Sequence, residues 1–118
     1  MNILVDTSVW IDHLRRGNKS LIDMLNEGKV SVHPIILGEL RLGNIPKRTA
    51  FLRLMEDLPL VIESNHEEVI TLCETRKLYG RGIGYFDAHI LCSSILSEVP
   101  LWTLDKRLAA IYQDLTTA

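Results

Sequence analysis

An α/β sandwich with a mostly parallel central sheet is the fold this sequence predicts. Short apolar runs alternate with one or two amphipathic helical stretches along the chain, the pattern of parallel strands joined by helical crossovers. Glycine and proline punctuate those stretches where helices stop or start. The first and last apolar runs, Ile3-Leu4-Val5 and Leu101-Trp102-Thr103-Leu104, each stop at an acid, and the carboxyl ends of parallel strands are where such sheets bind ligands.

Residues 2–6 read as a strand whose unbroken apolar run suits burial on both faces. A helix over 7–16 follows, with Trp10 and Leu14 on one face and Gly17 to stop it. Leu21, Ile22 and Leu25 predict a helix over 19–27 with Gly28 beyond; Val30-Ser31-Val32 then reads as a short strand leading into Pro34, which can start a helix. That helix, 35–42, holds Glu39 among Ile36, Leu37 and Leu40 and ends at Gly43. Pro46 opens an amphipathic stretch with Phe51, Leu54, Met55 and Leu58 at helical spacing, and Leu60-Val61-Ile62 predicts a brief strand. Ser64 with Glu67 fits a capping box for a helix that carries Val69, Leu72, Cys73 and Tyr79 and runs out at Gly80. Gly80-Arg81-Gly82-Ile83-Gly84 lacks the Lys-Ser/Thr ending of a phosphate loop and reads as a mobile turn. A helix over 86–96 with Asp87 in its first turn, a strand over 100–103 and a helix over 106–112 complete the chain.

With 118 residues, 47% hydrophobic and 24% charged, a single domain spanning 1–118 with a proper core is expected. No apolar stretch approaches the ~20 residues that span a bilayer, and Asp6 and Asp12 stand where a leader would be basic, so a cytoplasmic chain without a membrane partner is expected. Cys73 and Cys92 have no close-spaced partner and read as buried thiols in a reducing compartment. The net charge of -2 argues against a generic nucleic-acid coat. Yet Arg41, Lys47, Arg48 and Arg53 share an acid-free stretch, as do Arg76, Lys77 and Arg81, either to meet phosphate or to solvate helix faces. His13, His33, His66 and His89 are scattered, with His13 and His89 weak candidates for substrate contact. No aromatic stacking platform is evident.

Asp6, Glu39, Asp87 and Asp105 each sit at a strand end, on an apolar helix or at a helix start, and topology should carry all four to one end of the sheet. Each has a structural alternative: a helix N-cap for Asp6, Asp87 and Asp105, and a basic partner such as Arg41 for Glu39. Gathered together, carboxylates repel by roughly 4 kcal/mol per pair at 4 Å and an effective dielectric of 20. A divalent cation relieves that repulsion, and an oxygen-only donor set suits Mg2+ or Mn2+ rather than zinc, in one- or two-ion hydrolysis of a phosphodiester.

Four segments carry a resemblance: Val5-Asp6-Thr7-Ser8-Val9-Trp10-Ile11-Asp12, Glu39-Leu40-Arg41-Leu42-Gly43, Asp87-Ala88-His89-Ile90 and Leu101-Trp102-Thr103-Leu104-Asp105. In order and spacing they resemble the motifs of PIN-domain ribonucleases, among them the small VapC-type toxins of toxin–antitoxin pairs, over nearly the whole chain. The resemblance implies a PIN-like three-layer α/β/α sandwich and a Mg2+- or Mn2+-dependent endoribonuclease. It implies Asp6, Glu39 and Asp87 as principal metal ligands, Asp105 as a fourth acid acting directly or through water, and Thr7, Ser8 and Thr103 as supporting hydrogen-bonders. It also implies an RNA substrate, a homodimer, and an antitoxin whose C-terminal segment lies over the acidic groove. Trp10, Leu14, Phe51 and Met55 could line a groove for that segment or belong to the core. Leu108, and Cys92-Ser93-Ser94 in place of small alanines, depart mildly from the family pattern.

An RNA-processing nuclease of the same family outside a toxin system would share this chemistry. A receiver-like Mg2+-binding phosphoacceptor domain is disfavoured, because Asp6 is followed by Thr7 rather than an acid and the run at 60–62 ends at Glu63. A nuclease-like interaction module without turnover is the third class.

Overall fold

The computed structural model describes residues 2–117. Strand β1 (Ile3–Val5) is central, with β2 (Val30–Ser31) on one side and β3 (Leu101–Trp102) on the other, both parallel to it. Ile3 lies opposite Val30 and Leu4 opposite Ser31; on the other side Leu4 meets Leu101 and Val5 meets Trp102. Successive residues of a strand face opposite sides of the sheet. Leu4 and Val5 are both fully buried, so helices cover both faces, giving the expected three layers.

Helices α1 (Thr7–Arg16) and α2 (Lys19–Asn26) join β1 to β2. Helices α3 (Pro34–Leu42), α4 (Arg48–Glu56), α5 (His66–Thr75) and α6 (Tyr85–Ser97) lie between β2 and β3, and α7 (Lys106–Thr116) follows β3. Helix α6 is the central one: residues 88–94 are all buried. Trp10, Leu21, Ile36, Met55, Leu91, Leu108 and Ile111 are fully buried in the core around the sheet.

Several boundaries differ from expectation for local reasons. The run at 60–62 is not a strand; a single parallel bridge joins Leu60 to Val32. Leu60 and Ile62 are exposed, Pro59 has no amide proton to extend the ladder, and the Ile62 amide instead donates to Ser97 Oγ on α6 at 3.0 Å. The capping box is Asn65 with Glu68, one residue later than Ser64 with Glu67. Ser64 is drawn inside, where its amide donates to Ser93 Oγ. Helix α5 ends at Thr75 rather than Gly80, because Lys77 turns left-handed at φ 54° and the Leu78 amide reaches back to Cys73 O, tucking Leu78 into the core. Helix α4 starts at Arg48 after a left-handed Lys47 instead of at Pro46, and α7 runs on past Tyr112 to Thr116 with Leu115 packed on the core.

A buried polar tie links two of the layers. The fully buried His33 caps α3 by accepting the Ile35 amide at Nδ1, 3.0 Å. Nε2 therefore carries the ring proton and donates to Ser93 Oγ of α6 at 2.9 Å, while Ser93 Oγ donates to Ser64 Oγ. Helices α3 and α6 are the two that carry Glu39 and Asp87.

Candidate active site

Asp6 ends the β1 run and precedes α1, so the sheet delivers its carboxylate to the edge where β3 also ends. It is 5% exposed. Its backbone is the N-cap of α1, but its side chain makes no capping bond. Instead Ser8 Oγ donates to Asp6 Oδ2 at 2.8 Å and Thr103 Oγ1 donates to the same oxygen at 2.7 Å. Those hydroxyls are themselves oriented: Ser8 Oγ accepts the Leu104 amide at 2.9 Å and Thr103 Oγ1 accepts the Asp105 amide at 3.1 Å. Both hydroxyl protons go to Oδ2, so the 3.2 Å Ser8–Thr103 approach is a consequence of that shared acceptor. Among the described residues no protein hydrogen bond falls on Oδ1.

Glu39 stands on the solvent side of α3 rather than buried in its apolar face, and Thr7 Oγ1 donates to its Oε1 at 3.3 Å. Partial desolvation pushes its pKa up, the Thr7 bond opposes that, and the charges of Asp6 and Asp87 raise it further. Arg41, the basic partner considered for it, is engaged elsewhere, 2.7 Å from Glu56. Asp87 sits in the first turn of α6, half-buried. Desolvation raises its pKa, a hydrogen bond from the Gly84 backbone lowers it, and Asp6 and Asp105 raise it. Asp105 is different. Its Oδ1 caps α7, accepting the Arg107 amide at 2.9 Å and the Leu108 amide at 3.1 Å, so the N-cap alternative describes this acid.

Four elements thus bring four acids into mutual electrostatic range, with Asp6 and Asp87 coupled to Glu39 on one side and Asp105 coupled to Asp87 on the other. None of the ion pairs among the described residues, Asp12–Arg16, Glu27–Lys29, Glu56–Arg41 and Asp114–Arg81, involves them. The side chains do not close into a three-ligand chelate within the described residues. Neighbouring carboxylates repel one another, and a divalent cation would relieve that repulsion. The donors are all oxygens, burial and then neighbouring carboxylate charge raise the pKa values of Glu39 and Asp87, and Asp6 keeps one oxygen outside its hydrogen bonds to Ser8 and Thr103. A hard divalent cation fits this set.

Other candidates resolve plainly. Trp10 and Met55 are fully buried, Phe51 packs against the same core, and Trp10 meets Phe51 edge-on at 6.0 Å, so these three are core; Leu14 is partly buried against that core and also borders a cavity. That cavity, about 500 Å3, lies near the site between α1 and α3 and is bordered by Thr7, Ile11, Leu14, Glu39 and Leu40. His13 accepts the Asn18 amide at Nδ1 at the end of α1, and His89 is buried with its Nδ1 unpartnered among the described residues. Arg107 escaped the sequence reading: its guanidinium lies against Gly82, where a Cβ would come within 2.8 Å of Nη1. Gly82 has φ 86°, a conformation glycine favours. An arginine two residues after a strand-end acid, facing a three-glycine loop, was the available signal. Cys73 and Cys92 are free thiols, half-buried and buried.

The PIN domain family model matches residues 3–113. The chain is 43% identical over 109 residues to the proteins named Ribonuclease VapC32 from two strains of Mycobacterium tuberculosis, CDC 1551 and H37Rv, an alignment covering 92% of this chain and 88% of each relative. With the acids gathered at the sheet edge and a family match over nearly the whole length, the chain belongs to the PIN domain family.

Proposed function

We propose that this chain is a ribonuclease acting as the toxin of a toxin–antitoxin pair, and that Asp6, Glu39, Asp87 and Asp105 form its hydrolytic site and hold a divalent cation, Mg2+ or Mn2+. The observation that carries the reading is that Glu39 lies within electrostatic range of Asp6 and Asp87, and Asp87 of Asp6 and Asp105, with no basic side chain paired to any of the four among the described residues. The names of the Mycobacterium tuberculosis relatives support the RNA substrate and the toxin role.

When bound, such an ion supplies positive charge against the phosphoryl oxygens and Lewis acidity toward an attacking water. The protein's part is positioning. Ser8 and Thr103 hold Asp6 through Oδ2 and leave Oδ1 free of hydrogen bonds among the described residues; Thr7 donates to Glu39 Oε1. Asp87 holds a half-buried charge opposite them. Asp105, tied to α7 by Oδ1, adds negative charge from the rim. Surface Arg and Lys residues steer the RNA backbone, a contribution that weakens with salt. A cognate antitoxin would cover the cavity beside Glu39, apolar side chains meeting Ile11, Leu14 and Leu40 and a basic one meeting the acids. A homodimer is part of the same reading.

The test is cleavage of a mixed-sequence single-stranded RNA by the purified chain in a cytoplasm-like buffer. Cleavage with Mg2+ or Mn2+ that stops on chelation and returns on adding the ion is expected. Cleavage undiminished by chelator would overturn the metal assignment, and metal binding without cleavage would favour an interaction module.

A further inference from the structure

Directly before Asp87, the start of α6 presents two aromatic rings that the core does not use: Tyr85 is 43% exposed and Phe86 58%. They are held in place. The Tyr85 hydroxyl and His66 Nδ1 of α5 are hydrogen-bonded at 2.8 Å, with the two rings 5.5 Å apart. Tyr85 also meets the edge of buried His89 at 6.0 Å, and Phe86 stands 6.2 Å from Tyr85 at 61°. On the loop side of Asp87, Arg107 rests on Gly82 and pairs with no acid among the described residues.

Rings ordered by a neighbour yet open to solvent are suited to a flat partner, because the ordering is already complete before anything binds. His66 and Asp87 adjoin the two rings, and Tyr85 also borders a cavity of about 170 Å3 with Tyr79 and Ile83; next to a carboxylate proposed to act on RNA, the flat partner that suits such rings is a planar heteroaromatic group with an attached anion. Single-stranded nucleic acid supplies that pair: a base that stacks on aromatic side chains and a phosphate that a guanidinium meets.

We propose that Tyr85 and Phe86, whose planes are inclined by 61°, form an angled shelf on which an unpaired nucleobase beside the scissile phosphodiester stacks against one ring and meets the other edge-on, with Arg107 meeting an adjoining phosphate. The inference rests on the ribonuclease reading and adds a subsite to it. The shelf selects single-stranded over duplex RNA and sets where along the strand the acids act.

The probe is a short single-stranded RNA carrying one fluorescent purine analogue whose emission falls on stacking. It is titrated with the full chain without added metal, and cleavage of the same RNA is followed separately with Mg2+. Wild type should quench the analogue, and Phe86→Leu and Tyr85→Leu should each weaken binding by about five- to a hundredfold with loss of quenching. Phe86→Trp should retain both, and duplex RNA should show no quenching. If wild type cleaves RNA while the leucine variants bind and quench as it does, the shelf is wrong and the ribonuclease stands. If wild type cleaves no RNA under any metal, the ribonuclease reading fails first. If Phe86→Leu leaves RNA binding unchanged but alters the oligomeric state, the rings belong to a protein interface and the proposal is overturned.

Discussion

Asp6→Asn and Asp87→Asn should each lower RNA cleavage by roughly a thousandfold, the equivalent of about 4 kcal/mol of barrier, in line with the several kcal/mol attributed to metal-assisted charge stabilisation. Asparagine keeps size and one oxygen but removes the charge that holds a cation. Ser8→Ala combined with Thr103→Val leaves the charge and removes only its orientation, so a smaller loss of about 10- to 100-fold is expected, the range seen for partners of ligating groups. Folding and chemistry separate in this series. The folded-state pKa of Asp87 is raised, so its ionised form destabilises the fold above that pKa, a penalty absent below its ordinary carboxylate value. At neutral pH without metal, Asp87→Asn should therefore raise the thermal midpoint, because it removes a charge disfavoured by burial and then by the carboxylates of Asp6 and Asp105. Activity lost together with a higher midpoint identifies a site residue; activity lost with a lower midpoint would indicate misfolding. Steady-state cleavage assays and thermal denaturation measure the two.

Acid should destabilise the protein by up to about 3 kcal/mol between pH 6.5 and pH 4 through His33 alone. Burial, then the neighbouring His89, pushes the His33 pKa down to about 4 from an ordinary 6.5. The groups facing the ring explain why it resists a proton: the Ile35 amide already points its hydrogen at Nδ1, Ser93 takes the Nε2 proton, and His89 meets it edge-on at 5.2 Å. The unfolded chain binds a proton near pH 6.5 and the folded one does so only near pH 4. The stability from this group is therefore complete above pH 6.5 and lost as pH falls toward 4. Protonation would set two N–H groups against each other at the start of α3 and loosen the tie to α6, which together carry Glu39 and Asp87. Asparagine caps helices well, so His33→Asn should lower stability at pH 7 yet flatten its slope between pH 6.5 and 4. Urea denaturation across that range measures the slope, and an unchanged slope would mean that another group is responsible.

Much of this was legible because the signals were local. The apolar runs at Ile3-Leu4-Val5 and Leu101-Trp102, the glycines after α1, α2 and α3, and Pro34 at the first turn of α3 fix their elements within a residue or two. What sequence could not reach depended on partners distant in the chain. The 60–62 run looks like a strand until Ser97 of α6 takes its amide; Ser64 looks like a cap until Ser93 draws it inward. Glu39 among leucines suggested burial, whereas α3 turns that face to solvent and Arg41 pairs with Glu56 across to α4. Asp6 and Asp105 both precede helices, yet only Asp105 caps with its side chain, because Ser8 and Thr103 claim the carboxylate of Asp6. Phe86 opened the helix expected over 86–96 and Tyr85 stood just before it, and only the fold reveals that the first turn of α6 carries both at the surface.

The convergence of these acids on one ion is tested most directly by anomalous diffraction from crystals of the protein grown with Mn2+. A manganese peak is expected in contact with oxygens of Asp6, Glu39 and Asp87, with Asp105 at its rim. A peak elsewhere with these carboxylates unliganded, or no peak while the crystals' protein still cleaves RNA, would contradict it.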